Sequence, residues 1–306
     1  VCSVRQGAPY ALLEEGTTLS PGMRDSLRRA GVFAVYVNDR LSEGIAPAQP
    51  PPPQMRHEAV QALASAVGSA SRGRVARVPD AQIEKLERLV AAILEELKTF
   101  QGAIVSLADL QSMEARLLAH SVNVCVLGLV LGHDALREHG WRDFRGETQY
   151  TRIEDRLEKL GLGLLLHDVG LVAIPRQVAA ADVHLGRKER DLLREHTEAG
   201  IALLQDCGLS ALSRVVVADH HERVDGAGYP KGKHGDALHQ HARIAAVADV
   251  YDAACSGVEG VPRSSTHEAF ELVMGLGGTG LDFDLVQLFT QVVAPYPEGV
   301  AVELSV

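Results

Sequence analysis

From Leu107 to Phe289 the chain is a run of helix-period patterns, each roughly three to five turns long, with none of the apolar–polar alternation of a half-buried strand. A stretch of that kind folds as packed helices, so this part is expected to be all-α. Alternation returns only at the end, where Val300, Val302, Leu304 and Val306 predict a short terminal strand. Aromatic residues make up 4% of the chain, so Leu, Val, Ala and Ile must build the core.

Five of the thirteen prolines fall between Pro47 and Pro53, a polyproline-prone stretch that is not expected to join a helix or a central strand. It divides the chain. Before it, Tyr10–Glu14 reads as a strand, Ser20 and Pro21 cap a short helix running to Arg29, Gly31 stops that helix, and Val32–Val37 reads as a second strand. Residues 1–45 are therefore a small α/β module, too small to bury much by itself. Residues 46–100 are a proline-rich linker and connecting helices, at His57–Val67 and Asp80–Phe100. In the second helix Ile83, Leu86, Leu89, Val90, Ile93, Leu94 and Leu97 form a stripe that offers pairing with a second copy, a homodimer. Residues 101–306 hold the helical domain. The fold class is thus mainly α, a helical bundle preceded by a small α/β N-terminal module, and 306 residues leave room for about two domains.

The formal net charge is −10 and no dense Lys/Arg run offsets it, which excludes a groove tracking a nucleic-acid polymer. An anionic small substrate stays open if metal ions supply the positive charge. Cys2, Cys125, Cys207 and Cys255 are far apart and form no paired motif, so neither a disulfide framework nor a zinc ribbon is indicated. The apolar stretch Val122–Gly132 is about half of what spans a bilayer, and no basic segment precedes an apolar one at the start. A cytoplasmic location without membrane association is expected. A chain that starts at Val1 rather than Met is expected to be incomplete.

The histidines carry the chemistry. Of thirteen, only His57 precedes His120. Candidate metal ligands occur at His120, His167–Asp168, His196, His220–His221 and Asp249, spaced by about one helix and loop each, so packed helices can aim all seven side chains into one cleft. Imidazoles and carboxylates suit Fe, Mn, Zn or Ni. Any one of them alone reads more naturally as a satisfied structural residue. A second His–Asp pair, His133–Asp134, runs into charged Arg137 and Glu138 and reads as a solvated helix end. His167–Asp168 instead closes the apolar run Leu162–Leu166 and precedes Gly170, which predicts burial; burying several such groups costs several kcal/mol unless a metal compensates.

The block His220-His221-Glu222-Arg223-Val224-Asp225-Gly226-Ala227-Gly228-Tyr229-Pro230 resembles the HD-GYP family, a branch of the HD superfamily of metal-dependent phosphohydrolases. The likeness includes Leu166–Gly170 upstream, Arg243–Asp252 downstream and Pro295–Leu304 near the end, and it spans about Leu107 to Val306. The first module, with Leu12–Gly16, Leu19 and Gly31–Val37, is similar to a small N-terminal domain found on some members. The resemblance implies an HD-type helical bundle and a phosphodiesterase that opens cyclic di-GMP, or a related cyclic dinucleotide, to pGpG and onward to GMP, in bacterial second-messenger signalling. It implies two divalent metals, Fe or Mn, one held by His120, His167, Asp168 and Asp249, the other by His196, His220, His221 and a bridging Asp168. His167 and Asp168 are the implied catalytic pair; Tyr229, Gly228 and Arg223 are the implied substrate contacts. A third metal is not expected, because Arg116 stands where some members carry Glu and Glu114 is offset. Two departures concern phosphate binding: Leu171 replaces the Lys of His-Asp-x-Gly-Lys, and Val258–Val261 replaces Arg-Pro-Tyr-Arg or Arg-Pro-Tyr-Lys. Three cations are absent, which opens the alternative of a metal-binding sensor or interaction module of low turnover, with the Gly-Tyr-Pro loop docking a signalling protein.

Overall fold

The computed structural model describes residues 51–72, 77–99, 113–143, 145–179 and 184–296, with Ala181 and scattered positions between Thr17 and Ser26. The strands expected in the first module and at the C-terminus lie outside the described residues. Of the first helix, Gly22, Met23 and Ser26 are helical, and the Met23 amide donates to Ser20 Oγ at 3.3 Å, the contact expected of an N-cap serine.

The helices run α1 Pro53–Arg72, α2 Asp80–Thr99, α3 Met113–Glu138, α4 Ile153–Leu166, α5 Arg176–Ala179, α6 Arg187–Arg194, α7 His196–Leu203, α8 Ala211–Asp219, α9 Gln240–Ser256, α10 Thr266–Leu276 and α11 Phe283–Val292. Single 3-10 turns at Val169–Ala173 and Gly235–Ala237 link α4 to α5 and lead into α9. Two sequence expectations need correction. The proline run does enter a helix, since Pro53 is the first residue of α1; at that position an amide hydrogen is not needed and the fixed φ of proline suits the helix. The buried Arg56 side chain then ties the run down, donating from Nε to the Pro51 carbonyl at 3.0 Å. The bundle is also not purely helical. β1 Trp141–Arg142 pairs antiparallel with β2 Thr148–Gln149, closed by Asp143, whose Oδ1 accepts from the Arg145 and Glu147 amides at 2.8 and 3.0 Å. Two-residue strands are too short to show alternation.

At the centre lies α3, packed against α1, α4, α9 and α11, while α4 also meets α2 and α8. Residues of α1 and α2, among them Ala59, Leu63, Ile83, Leu86, Val90 and Ile93, belong to the same apolar core as the bundle. The aromatic content shows here too: Tyr251 and Phe289 are the only fully buried aromatics among the described residues. Within Arg116–Glu138 of α3 an 18-residue window has a mean hydropathy of 1.4, and the helix would be long enough to cross a membrane, but 67% of that window is buried inside the bundle, where α3 is the core helix. Close approach of α3 to α4 depends on missing side chains; a Cβ at Gly128 would stand 2.5 Å from Leu164 Cδ1. Packing at that distance brings the C-terminal end of α4, and His167 with it, beside His120.

Candidate metal centre

Three of the five histidines sit at helix ends. His167 is the C-cap of α4, His196 opens α7 directly after α6, and His220 is the C-cap of α8. Helix ends leave carbonyls without intrahelical partners. Each ring donates to a carbonyl of the last turn, shared with a backbone amide at Leu193 and Val216: His167 Nδ1 to Leu164 O at 2.6 Å, His196 Nδ1 to Leu193 O at 2.7 Å, and His220 Nδ1 to Val216 O at 3.1 Å. With the proton on Nδ1, each Nε2 presents its lone pair to the interior. His120 lies within α3, where backbone carbonyls are already engaged, and takes a side chain instead. Its Nδ1 meets Asp252 Oδ2 at 2.8 Å, and that carboxylate is held by Asn123 Nδ2 at 3.0 Å and Ser256 Oγ at 2.9 Å. Outer partners of this kind orient a ligand ring and raise its basicity.

All seven predicted ligand residues are buried and converge. Their ligand atoms form two groups, Asp168 with His196, His220 and His221, and His120 with His167 and Asp249, and within each group they lie within 4.8 Å of one another. Asp168 faces both groups. Its Oδ2 stands 3.2 Å from His167 Nε2 and 3.7 Å from His120 Nε2; its Oδ1 stands 3.5 Å from His196 Nε2 and 3.7 Å from His220 Nε2. The Gly170 turn brings it there, lying so close on the His196 carbonyl that no Cβ fits.

The donor set fits cations better than it fits itself. Among the described residues, His120 Nε2, His167 Nε2, both Asp168 oxygens, Asp249 Oδ1 and His221 Nε2 are buried without a hydrogen-bond partner. His196 Nε2 and His220 Nε2 approach to 3.2 Å, and in neutral rings whose Nδ1 protons are committed elsewhere that sets lone pair against lone pair. A cation resolves each of these contacts. Burial holds the His196 pKa down, to about 4, and together with the neighbouring His220, His196 and Arg223 lowers that of His221, so both rings are in the neutral form that binds metal. Burial also opposes charge on His120, His167 and Asp168, but their mutual attraction prevails: the carboxylates raise the two imidazoles, and His167 first among the histidines lowers Asp168.

The loop after α8 forms one wall. The Tyr229 ring stacks on His221 at 4.5 Å and 24°, with Arg194 Cζ 5.0 Å from the ring centroid on α6. The Tyr229 amide donates to His221 O at 3.2 Å, and the buried Glu222 carboxylate accepts from the Lys231 and Lys233 amides at 2.7 and 2.9 Å, which pins both ends of the loop. Gly228 packs directly on the backbone of His221 to Arg223, so its missing side chain is explained by that contact. Arg223 Nη1 is turned to the His220 and Glu222 carbonyls, at 3.1 and 3.0 Å.

Residues 152–284 match the HD domain family. A cyclic di-GMP phosphodiesterase of Pseudomonas aeruginosa is 30% identical over 256 residues, 82% of this chain and 58% of that protein. A 3'3'-cGAMP-specific phosphodiesterase of Vibrio cholerae is 39% identical over 90 residues, 29% of this chain and 17% of that one. Among solved structures, an HDG"Y"P protein of Bdellovibrio bacteriovorus superposes with a TM-score of 0.55 at 16% identity, covering 78% of this chain and 70% of its own, a likeness of fold. Residues 152–284 thus carry an HD domain, and the chain resembles the HD-GYP family. It spans 58% of the length of its Pseudomonas relative.

Set against the HD-GYP pattern, it departs in physical as well as sequence terms. Leu171 packs into a small apolar cluster with Ile174, Val178, Ala179 and Leu193. Val258 is buried and Val261 packs against the main core. Between them the sequence reading passed over Glu259. Its side chain is 6% exposed, its Oε2 stands 3.4 Å from His221 Nε2, and its Oε1 has no hydrogen-bond partner among the described residues. Burial, then the Asp168 and Asp249 carboxylates, push its pKa well above the ordinary range. The only sequence signal for it was position: a lone acid between Val258 and Gly260, in the loop directly after the Asp249 helix. Asp252 is visible in the Asp249–Asp252 motif, three residues from a ligand on one helix, but the motif itself assigns it no role.

Proposed function

We propose that this protein is a metal-dependent phosphodiesterase that hydrolyses cyclic di-GMP to pGpG and onward to GMP, in the bacterial cytoplasm. The observation that carries the reading is Asp168, whose two oxygens face separate ligand groups, as a carboxylate bridging two cations must. His120, His167 and Asp249 would hold one divalent ion, His196, His220 and His221 the other, with Asp168 shared; Fe and Mn suit such nitrogen and carboxylate donors. Bound there, the pair supplies Lewis acidity that lowers the pKa of water and neutralises charge developing on a phosphodiester. The protein's own share is positional. The carbonyl-bound Nδ1 protons of His167, His196 and His220 keep those three rings in the ligand tautomer, and Asp252 does the same for His120. Tyr229, on the wall beside His221, offers ring and hydroxyl to a nucleotide, and Gly228 and Arg223 shape the same loop. The relatives named for cyclic di-GMP and cGAMP hydrolysis support the substrate class.

A second reading has its own support. With Leu171 in an apolar cluster and Val258 buried, the cations expected against a phosphate are absent, which favours a metal-binding module of low turnover that signals through a partner on the Gly-Tyr-Pro loop. Metal-replete protein assayed anaerobically with cyclic di-GMP and cyclic GMP-AMP separates the two. Turnover of cyclic di-GMP is expected; two bound metals without turnover at high enzyme concentration would sink the phosphodiesterase reading, and nucleotide affinity without turnover would support the second.

A further inference from the structure

Glu259 is not accounted for by the seven-residue centre. Its backbone is left-handed, at φ 55°, a conformation uncommon for a side-chain-bearing residue, and it is flanked by Gly257 at φ 67° and Gly260 at φ 76°. The loop is tied on each side: the Gly257 amide donates to Ala253 O at 2.9 Å, the Gly260 amide to Ala181 O at 2.8 Å, and the Val261 amide to Val258 O at 2.9 Å. Val258 and Val261 anchor in the core, and the residue between them is turned inward. Strain of this sort persists where surrounding structure holds it for a purpose.

Inward means towards the centre. Glu259 Oε2 lies 3.4 Å from His221 Nε2, whose Nδ1 in turn lies 3.5 Å from Asp249 Oδ2, so His221 has a carboxylate on each side of its ring. Unlike His120, His167, His196 and His220, His221 has no outer partner holding Nδ1 at hydrogen-bond distance among the described residues; Nε2 and Glu259 Oε1 are both buried and unpartnered. Glu259, Asp168 and Asp249 thus place three carboxylates in one buried volume, and among the described residues no lysine or arginine pairs with any of them. Three buried carboxylates can be charged together only beside cations.

We propose that Glu259 is an eighth protein ligand of the metal centre, supplying a carboxylate oxygen to the ion that His221 also holds. The proposal rests on the reading of the two groups as a metal site and adds a donor specific to this chain's Val258–Val261 loop. Manganese(II) is a suitable probe. Titration of the metal-free protein, followed by electron paramagnetic resonance of free Mn(II), should give two ions per wild-type chain. Glu259→Gln, which keeps shape and removes the charge, is expected to weaken the second ion at least about tenfold, the scale of losing a partner at a metal site. Equal affinities in wild type and Glu259→Gln would overturn the proposal while leaving the centre standing; a wild-type chain that takes up no manganese overturns the centre itself. A crystal structure of wild-type protein with Mn(II) tests the point without any variant: a Glu259 oxygen within about 2.5 Å of a manganese position supports it, and a carboxylate turned away from both ions refutes it.

Discussion

The chain contains the same dipeptide twice, with opposite outcomes. His133–Asp134 lies near the end of α3, where the two side chains are 43% and 40% exposed and satisfy each other, Nδ1 to Oδ1 at 2.9 Å. His167–Asp168 closes α4 after five residues, Leu162 to Leu166, that are all buried; its ring turns to a backbone carbonyl, and neither Asp168 oxygen finds a hydrogen-bond partner among the described residues. The first pair is complete in water. The second is left incomplete by the fold, with four more histidines and a second aspartate aimed at the same volume. Residue type therefore does not make the site. What makes it is burial without a partner, repeated from several helices.

The hardest test of that contrast is to delete the carboxylate from each pair. Asp168→Ala should leave fewer than two metals per chain and lower turnover by about 10³-fold or more, because several kcal/mol of charge stabilisation depend on the shared oxygen positions. Asp134→Ala should change stability by about 0.5 kcal/mol or less and leave metal content unaltered. Elemental analysis of anaerobically purified protein reads both. If the two variants kept equal metal content, the contrast would be broken and the ligand set wrong.

Much of the centre was legible because its parts are types that burial penalises, at intervals of one helix and loop, and because the block from His220 to Pro230 is specific. The mainly α class was legible from periodicity over long segments. What escaped had physical reasons. The β1–β2 pair is too short to alternate. Pro53 reads as a breaker in one dimension, yet the first helical position tolerates it. Glu259 carries no pattern, since its importance comes from a left-handed turn between two anchored valines, and a loop's inward side has no period. Asp252 acts through another residue's ring, at a distance that only packing of α3 on α9 sets.

Asp252 sharpens the comparison at a smaller scale, because it does for His120 what a neighbour's carboxylate does for His133. Asp252→Ala removes the acceptor of His120 Nδ1 and the shared partner of Asn123 and Ser256, so the ring loses its fixed tautomer and orientation. A loss of about 10–100-fold in affinity for one metal is expected, with the other retained. Asp252→Asn, which keeps an oxygen in place, should fall between. Stepwise metal titration checks this, and loss of both ions together, or of neither, would show that the outer partner does not act on the His120 group alone.

The smallest effect concerns a histidine that is buried and yet outside the centre. His241 is the second residue of α9, its ring 4.9 Å from that of His239, and burial, followed by the charges of His239 and Arg156, pushes its pKa down to about 3. If burial alone made a site, His241 would be one, but it faces no second ligand group among the described residues. Its signature should be linkage without metal. The unfolded chain, with a pKa of about 6.5, takes up this proton first as pH falls, so the contribution is complete above 6.5 and is lost progressively down towards 3. One unit below 6.5 the loss is about 1.4 kcal/mol. Urea unfolding of metal-free protein at pH 7.5 and 5.5 should therefore show a drop for wild type that exceeds the drop for His241→Leu by that amount, whatever the substitution does to packing at either pH. An equal drop in both proteins would place the charge change elsewhere, and a His241→Leu protein that lost manganese would mean that the boundary between structural and ligand histidines has been drawn in the wrong place.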